Sequence, residues 1–185
     1  MDPIELHNTQ VAENIAGLAA DKDVQELSRV WSRETNRNGY TYNYSWLGRP
    51  IIQYPQDILA MQELIWAVQP DLIIETGIAH GGSLIFSASM LELNAACGGP
   101  RHAEVVGVDI DIRAHNRAAI EAHPMSSRIA MIEGSSTDPS IVEQVKAKTE
   151  GKQCVMVCLD SNHTHEHVLA ELEAYASFTS VGSYC

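Results

Sequence analysis

The chain has 185 residues, of which 12 are Lys or Arg and 24 are Asp or Glu, so its formal net charge is −12. This acidic balance excludes the basic face that nucleic acids and anionic lipids require, and we expect no nucleic-acid partner. With 45% apolar residues, a chain of this length can fold around one core without disulfide bonds or a structural metal.

The N-terminal 45 residues are polar and weakly patterned, and they are predicted to form an extension. Within it, Asp23 to Ser32 carries apolar residues at helical spacing, which predicts one helix. No apolar run in the chain reaches the roughly 20 residues needed to cross a bilayer, and the first residues do not resemble a secretory signal. We therefore expect a cytoplasmic protein with no membrane partner.

Residues 46–185 are predicted to form one α/β domain. A helix is predicted from Pro55 to the residues before Pro70, and four units follow in which a short apolar strand precedes a helix. The predicted strands are Leu72 to Ile74, Val105 to Val108, Ile129 to Ile132 and Val155 to Leu159. The helices that follow them are Ser83 to about Asn94, Ala114 to Ala122, about Ile141 to Lys148, and His165 to Tyr175. Repeated units of this kind favour a doubly wound, mostly parallel sheet.

Acidic residues stand at or just beyond the end of each predicted strand: Glu75, Asp109, Glu133 and Asp160. The carboxyl ends of parallel strands meet at one edge of the sheet, and ligands of such sheets bind there. A single Asp at this position is as often a helix cap or a solvated loop residue. Four together favour a site.

The loop after the first of these strands is rich in glycine at positions 77, 81 and 82, and Ser83 follows it. Glycine lets a backbone turn sharply and approach a ligand closely. The loop is not the dinucleotide pattern G-x-G-x-x-G, because residue 79 is Ala, and it lacks the Lys of a phosphate-binding P-loop. An acid that accepts from an amine, Glu75, and an acid that accepts from a ribose diol, Asp109, would suit S-adenosylmethionine, and we expect the two to converge on one hollow.

A second cluster, Asp160 to His167, contains three alternating histidines behind an acid. Imidazole and carboxylate are ligands of divalent metals, so a metal-dependent hydrolase is one interpretation. The spacing departs from the H-x-H-x-D-H pattern of metallo-β-lactamase hydrolases. Asp160, with His163 beside it, is the better candidate for a metal ligand or a base.

Five blocks of sequence, in this order and spacing, resemble the cephalosporin hydroxylase family, whose members look like S-adenosylmethionine-dependent O-methyltransferases. The blocks are Trp46 to Pro50, Gln53 to Asp57, Ile74 to Gly77 with His80 to Ser83, Val108 to Asp111, and Leu159 to His163. The similarity runs from about Tyr44 to the end of the chain.

The resemblance implies a Rossmann-like methyltransferase fold and a divalent metal, magnesium, near Asp160. It also implies an acceptor that is a hydroxylated small molecule such as a sugar. The expected cofactor contacts are Glu75, Gly77, Ala79, Gly81, Ser83, Asp109, Ser135 and Ser136. Asp160 and His163 are the expected catalytic residues.

The sequence departs from the family pattern in two places. Ser161 or Asn162 stands where relatives tend to carry a second acid, and the acidic pair expected after a fifth strand is absent, because the sheet ends after the fourth strand–helix unit. The strand Val155 to Leu159 would then be an open edge, which proteins ordinarily cover. We expect either a fragment or a second chain on this edge, as in a homo-oligomer.

The leading hypothesis is therefore a metal-assisted, S-adenosylmethionine-dependent O-methyltransferase. The alternatives are a non-catalytic module of the same fold that binds a ligand or a partner, and the metal-dependent hydrolase.

Overall fold

The structure is a computed structural model that describes residues 2–185. Within these residues the chain divides into two compact units, one ending at Thr41 and the other running from Tyr42 to Cys185. The second unit starts slightly before residue 46, where we predicted the domain to begin.

The first unit contains two helices, α1 (Pro3–Ala20) and α2 (Lys22–Asn36), where the sequence analysis predicted only the second. Asp2 caps α1 by accepting from the amide of Ile4, and Asp21 caps α2. The aspartate before Pro3 was the signal that we missed. A second signal for α1 is a row of apolar residues along one helical face: Ile4, Val11, Ile15 and Leu18. No side chain of these two helices is buried.

The second unit opens with a two-stranded antiparallel hairpin that the sequence did not predict. Its strands are β1 (Tyr44–Trp46) and β2 (Arg49–Ile51). Leu47 and Gly48 form the turn with φ angles of 45° and 86°. Two consecutive positive φ angles are typical of a tight hairpin turn, in which Asn-Gly or Asp-Gly is the usual pair. Leu is unusual at the first turn position, so the sequence lacks the pattern that predicts such a turn.

The strand–helix units follow in the predicted order, and every predicted element from residue 55 onward is present within a few residues of its predicted bounds. The helices are α3 (Pro55–Val68), α4 (Gly82–Ala96), α5 (Ala114–Glu121), α6 (Pro139–Thr149) and α7 (His165–Tyr175). The strands are β3 (Leu72–Thr76), β4 (Glu104–Asp109), β5 (Ile129–Glu133) and β6 (Val155–Leu159). Among residues 2–185, no helix combines the length and the apolar character that a bilayer-spanning segment needs.

The four strands form one parallel sheet in the order β5-β4-β3-β6. Leu72 of the central strand β3 pairs with Glu104 on one side and Val155 on the other. The carboxyl ends of all four strands therefore lie at the same edge. The predicted fold, a doubly wound Rossmann-like sheet, is confirmed.

Helices cover both faces of the sheet, and strand alternation decides which residue faces which layer. Ile73 packs in a cluster with residues of α3, α4 and α5, whereas Leu72 and Ile74 pack with residues of α6 and α7. Glu75, two residues after Ile73, projects to the side of α3 and α4. This places a carboxyl group beneath an apolar layer.

The outer edge of β6 is partly covered by the last residues of the chain. The amide of Ser180 donates to the carbonyl oxygen of Val155 at 3.2 Å, and the amide of Val157 donates to that of Tyr184 at 3.0 Å. Ser180 Oγ also accepts from the amide of Val155 at 2.9 Å. The edge that we expected to be open is thus hydrogen-bonded at three points within the chain itself.

The fit between α4 and the hairpin gives the first testable prediction. A Cβ on Gly82, the first residue of α4, would overlap the carbonyl group of Pro50. Because backbone rather than a flexible side chain blocks this space, we expect Gly82→Ala to lower the free energy of unfolding by about 1–3 kcal/mol, as overpacking does. Urea denaturation followed by circular dichroism measures this.

Gly17→Ala is the matched control, because a Cβ at Gly17 in α1 meets no atom within 4 Å. Alanine is the better helix former there, so this variant should leave stability unchanged or raise it by up to about 1 kcal/mol. A Gly82→Ala protein as stable as the wild type would contradict the close approach of α4 to β2.

Candidate functional site

The glycine loop between β3 and α4 is held in a strained backbone path. Gly77 and Gly81 have φ angles of 91° and 83°, and the Ala79 between them has 45°. A Cβ on Gly77 would overlap the carbonyl group of Asp160, and one on Gly81 would overlap the side chain of Ile120. Glycine is therefore required at both positions, by conformation and by space.

Asp109, at the end of β4, fixes this loop through its carboxylate. Oδ2 accepts from the amides of Ile78 and Ala79 at 2.8 and 3.1 Å, and Oδ1 accepts from the amide of Asp111 at 3.1 Å. Hydrogen bonds to a charged acceptor are the stronger kind. The carboxylate thus ties two neighbouring strand ends together.

Two side chains that sequence reasoning did not assign to the site hold the loop from its other side. Arg49 of β2 donates to the carbonyl oxygen of His80 through Nε, at 3.0 Å, and through Nη2, at 2.5 Å. Asn116 of α5 donates to the carbonyl oxygen of Ala79 at 2.9 Å and accepts from Arg49 at 3.0 Å. Arg49 lies in one of the blocks that resemble the family, but its role depends on the unpredicted hairpin.

Glu75 is 3% exposed and lies beneath the loop. Its Oε2 accepts from Ser87 at 3.4 Å, and its Oε1 has no hydrogen-bond partner among residues 2–185. Burial is the largest cause that raises the pKa of Glu75 to about 7; the hydrogen bonds of Ser83 and Ser87 oppose the shift, and the charge of Asp160 adds to it. An acid with an unsatisfied buried oxygen has room for a donor from a ligand.

Two cavities adjoin the loop, and they do not share the predicted carboxylates. The larger, of about 590 Å³, is mainly apolar. Its polar lining residues are Gln53, Asp57, Glu75, Ser83, Ser87, Asp160 and Tyr184. The smaller, of about 170 Å³, is lined by Gly77, Val108, Asp109, Ile110, Ser135, Ser136, Ser161, Asn162 and His167.

The predicted cofactor residues therefore fall into three groups. Glu75 and Ser83 line the larger cavity, and Gly77, Asp109, Ser135 and Ser136 line the smaller one. Ala79 and Gly81 line neither and contribute backbone to the loop. The convergence of Glu75 and Asp109 on one hollow, which we expected, does not occur. The two cavities share no lining residue, and the packing of Gly77 against the carbonyl group of Asp160 lies between a residue of the smaller cavity and a residue of the larger one.

Asp160 and His163 follow β6, and Asp160 lines the larger cavity. Gln53 donates to Asp160 Oδ2 at 3.1 Å, and His163 Nε2 is 3.6 Å from Oδ1. Burial raises the pKa of Asp160, and His163 and Gln53 oppose that shift. The His163 side chain is exposed, so this pair is open to a substrate.

The three histidines do not share a metal site. His163 and His165 are exposed, whereas His167 turns inward to Ser136 and Ser161. Within residues 2–185, no group of three His, Cys, Asp or Glu side chains is arranged to hold a metal ion. The residues present therefore fit neither the zinc site of a hydrolase nor a complete magnesium site at Asp160.

Comparison with known proteins shows similarity over most of the chain. A family model described as "Rhamnosyl O-methyltransferase/CmcI" matches residues 38–185. The rhamnosyl O-methyltransferase of Mycobacterium tuberculosis is 35% identical over 130 residues, which cover 69% of this chain and 49% of that protein. That of Mycobacterium leprae is 31% identical over 141 residues, covering 76% of this chain and 57% of that protein. The chain thus spans about half the length of the curated relatives it matches.

The same comparison with solved structures supports the fold. A CmcI structure with Mg and SAM matches 71% of this chain and 51% of its own, with 20% identity and a TM-score of 0.50.

The burial of Glu75 predicts a specific pH dependence of stability. Because its pKa is raised in the folded chain, the carboxyl group stabilises the fold below its unfolded pKa, and that contribution is lost as the pH rises through about 7. Glu75→Gln cannot ionise. Relative to wild type, its free energy of unfolding should therefore rise by about 2–3 kcal/mol between pH 5 and pH 8.

Urea denaturation of both proteins at several pH values measures this difference. Glu63→Gln on the exposed face of α3 is the control for removing one negative charge. A wild-type minus Glu75→Gln difference that stays constant across this range would show that the pKa of Glu75 is the same in the folded and unfolded chains, and would contradict the raised pKa.

Proposed function

Because the chain belongs to the rhamnosyl O-methyltransferase/CmcI family, we propose that it binds S-adenosylmethionine and transfers the methyl group to a hydroxyl of a sugar or glycosylated small molecule. The observation that carries the proposal is the glycine loop clamped by Asp109, with one cavity lined by Gly77 and Asp109 and a second lined by Ser83 and Glu75. S-adenosylmethionine is an elongated cation, and the two cavities offer different surroundings to its nucleoside end and its amino-acid end.

The nucleoside end of the donor would occupy the smaller cavity. A carboxylate offers about four acceptor sites, and three amides already use sites on Asp109. The remaining capacity suits a ribose hydroxyl. Gly77 permits the close approach, and Ser135 and Ser136 face the same cavity from beyond β5.

The amino-acid end would reach into the larger cavity, beside Ser83 and Glu75. A cationic ammonium group there meets the unpartnered Oε1 of Glu75. Ionised Glu75 is costly while it stays buried and unpaired, and a bound cation offsets that cost. Donor binding should therefore favour the ionised form. The chain would exchange an unpaired buried acid for a charge pair.

Methyl transfer needs an acceptor hydroxyl held in line with the sulfur–methyl bond. The hydroxyl oxygen forms a bond to the methyl carbon as the carbon–sulfur bond breaks. The electron pair of the broken bond goes to the sulfur. The hydroxyl proton must leave to a base. Asp160 and His163 are the candidates, since Asp160 lines the larger cavity and the exposed His163 lies 3.6 Å from its carboxylate.

Magnesium remains a prediction on this chain. Asp160 would supply one carboxylate oxygen, and a bound Mg²⁺ would lower the pKa of a coordinated hydroxyl. Among residues 2–185, no group of three His, Cys, Asp or Glu side chains is arranged around a metal position. We therefore derive the proton transfer from Asp160 and His163 alone.

The acceptor class follows from the relatives, which are named rhamnosyl O-methyltransferases. A deoxysugar glycoside is the acceptor that we propose to test first, in a reaction that we place in the cytoplasm. Calorimetry with S-adenosylmethionine tests donor binding, and transfer of a labelled methyl group to a rhamnoside tests the reaction. A folded chain that binds no donor would refute the proposal, and one that binds donor but methylates no glycoside would be the non-catalytic module.

Removal of the clamp gives the next prediction. Asp109→Ala deletes a charged acceptor for the ribose and releases two loop amides, so we expect the affinity for S-adenosylhomocysteine to fall about tenfold to a hundredfold. Isothermal titration calorimetry gives the dissociation constant, and circular dichroism checks that the variant is folded.

Asp111→Ala is its matched control, two residues along the chain. Asp111 is exposed, and its side chain only faces Arg113 at 3.8 Å. This variant should bind the ligand as wild type does. Equal affinities of Asp109→Ala and Asp111→Ala would remove Asp109 from the donor site.

A further inference from the structure

A chain of polar side chains connects helix α7 to the smaller cavity, and no role has been assigned to it above. Glu171, 1% exposed, and His167 lie one helical turn apart on α7. Ser161 and Ser136, which line the cavity, lie within hydrogen-bond distance of His167 Nε2, at 3.1 and 3.2 Å. Buried polar groups in contact impose directions on one another's hydrogen bonds.

Glu171 determines the donor–acceptor direction of these hydrogen bonds. Ser161 Oγ donates its single proton to Glu171 Oε1 at 2.6 Å. Ser161 Oγ can then only accept from His167 Nε2, so that nitrogen carries a proton. Nε2 is also 3.4 Å from Glu171 Oε1, and a carboxylate at that distance favours the protonated nitrogen over a lone pair.

The proton on His167 Nε2 determines how the Ser136 hydroxyl can form hydrogen bonds. A protonated Nε2 cannot accept, so the Ser136 hydroxyl cannot donate to it and keeps its own O–H free, while the two serine oxygens share the single Nε2–H. Ser136 Oγ has no other hydrogen-bond partner among residues 2–185. Its backbone is fixed as well, because the buried Tyr175 hydroxyl donates to the Ser136 carbonyl oxygen at 2.7 Å. Ser136 thus presents a hydrogen-bond donor to the smaller cavity.

We propose that Glu171 and His167 are positioning residues that orient the Ser136 hydroxyl as a donor to a ring nitrogen of the purine base. The proposal rests on the proposed function, since it places the nucleoside in the smaller cavity. The cavity then has an acceptor, Asp109, for the ribose hydroxyls and a donor, Ser136, for the base. Purine ring nitrogens without hydrogen are acceptors, so the polarity of the two ends matches an adenosine.

A cycle between protein variants and ligand analogues tests the contact. The ligands are S-adenosylhomocysteine and its 1-deaza, 3-deaza and 7-deaza analogues, each of which replaces one ring nitrogen by carbon. Ser136→Ala should weaken binding of S-adenosylhomocysteine about threefold to tenfold. For one of the three analogues, wild type and Ser136→Ala should bind equally. A loss that is the same for all four ligands would overturn the proposal.

The positioning role is tested at His167, with an acid on the same helix as the control. His167→Phe keeps the ring but removes the N–H donor and should reproduce the ligand-selective loss of Ser136→Ala, whereas His167→Gln, which can offer an amide N–H in a similar place, should restore binding. Glu173→Gln, an exposed acid on the same helix, is the control and should bind as wild type does. A His167→Phe protein with unchanged selectivity would contradict the role.

The imidazole tautomer provides a readout that packing alone does not determine. Nitrogen–proton correlation spectra of the folded wild-type chain should show His167 protonated at Nε2, assigned by loss of the signals in His167→Gln. A tautomer protonated only at Nδ1 would reverse the direction and overturn the inference. If S-adenosylhomocysteine binds but the cycle shows no coupling, this inference fails and the proposed function stands. If the folded wild type binds no S-adenosylhomocysteine, both fail.

Discussion

The bond between the Asp109 carboxylate and the amides of Ile78 and Ala79 is the constraint on which the site depends. It joins the end of β4 to the loop that leaves β3 and fixes the backbone there, between a cavity lined by Gly77 and a cavity lined by Ser83. Glycine at 77 and 81 makes that path sterically possible, and Arg49 and Asn116 secure its far side. A loop prepared in this way can receive a ligand without the entropic cost of ordering itself.

The same parallel sheet that aligns the strand ends also forces an acid into the core. Strand alternation carries Glu75 to the face of Ile73, where the surroundings are apolar and its pKa rises to about 7. A buried and partly unsatisfied carboxyl group is unfavourable for the free fold, which is typical of residues retained for binding rather than stability. Donor binding, as proposed, supplies the cation that the fold itself does not provide.

The sequence predicted the fold well because each strand–helix unit has its own apolar pattern and its own turn residues at the boundaries. The glycine loop and Asp109 lie at the predicted edge of the sheet. The hairpin was missed because Leu47 takes a positive φ without the residues that usually mark such a turn. The sequence spacing could not predict that Glu75 and Asp109 line different cavities. That placement depends on the orientation of the Asp109 carboxylate, which the loop amides determine through their hydrogen bonds. The link from Glu171 to Ser136 joins residues 35 positions apart and becomes visible only when α7 packs against the loop that follows β5.

We propose that one elongated donor extends into both cavities beside the glycine loop. A crystal structure of the chain with S-adenosylhomocysteine shows whether it does. We expect ribose hydroxyls within hydrogen-bond distance of Asp109 and the amino-acid end beside Ser83 and Glu75. A ligand confined to one cavity, or bound away from the loop, would contradict it.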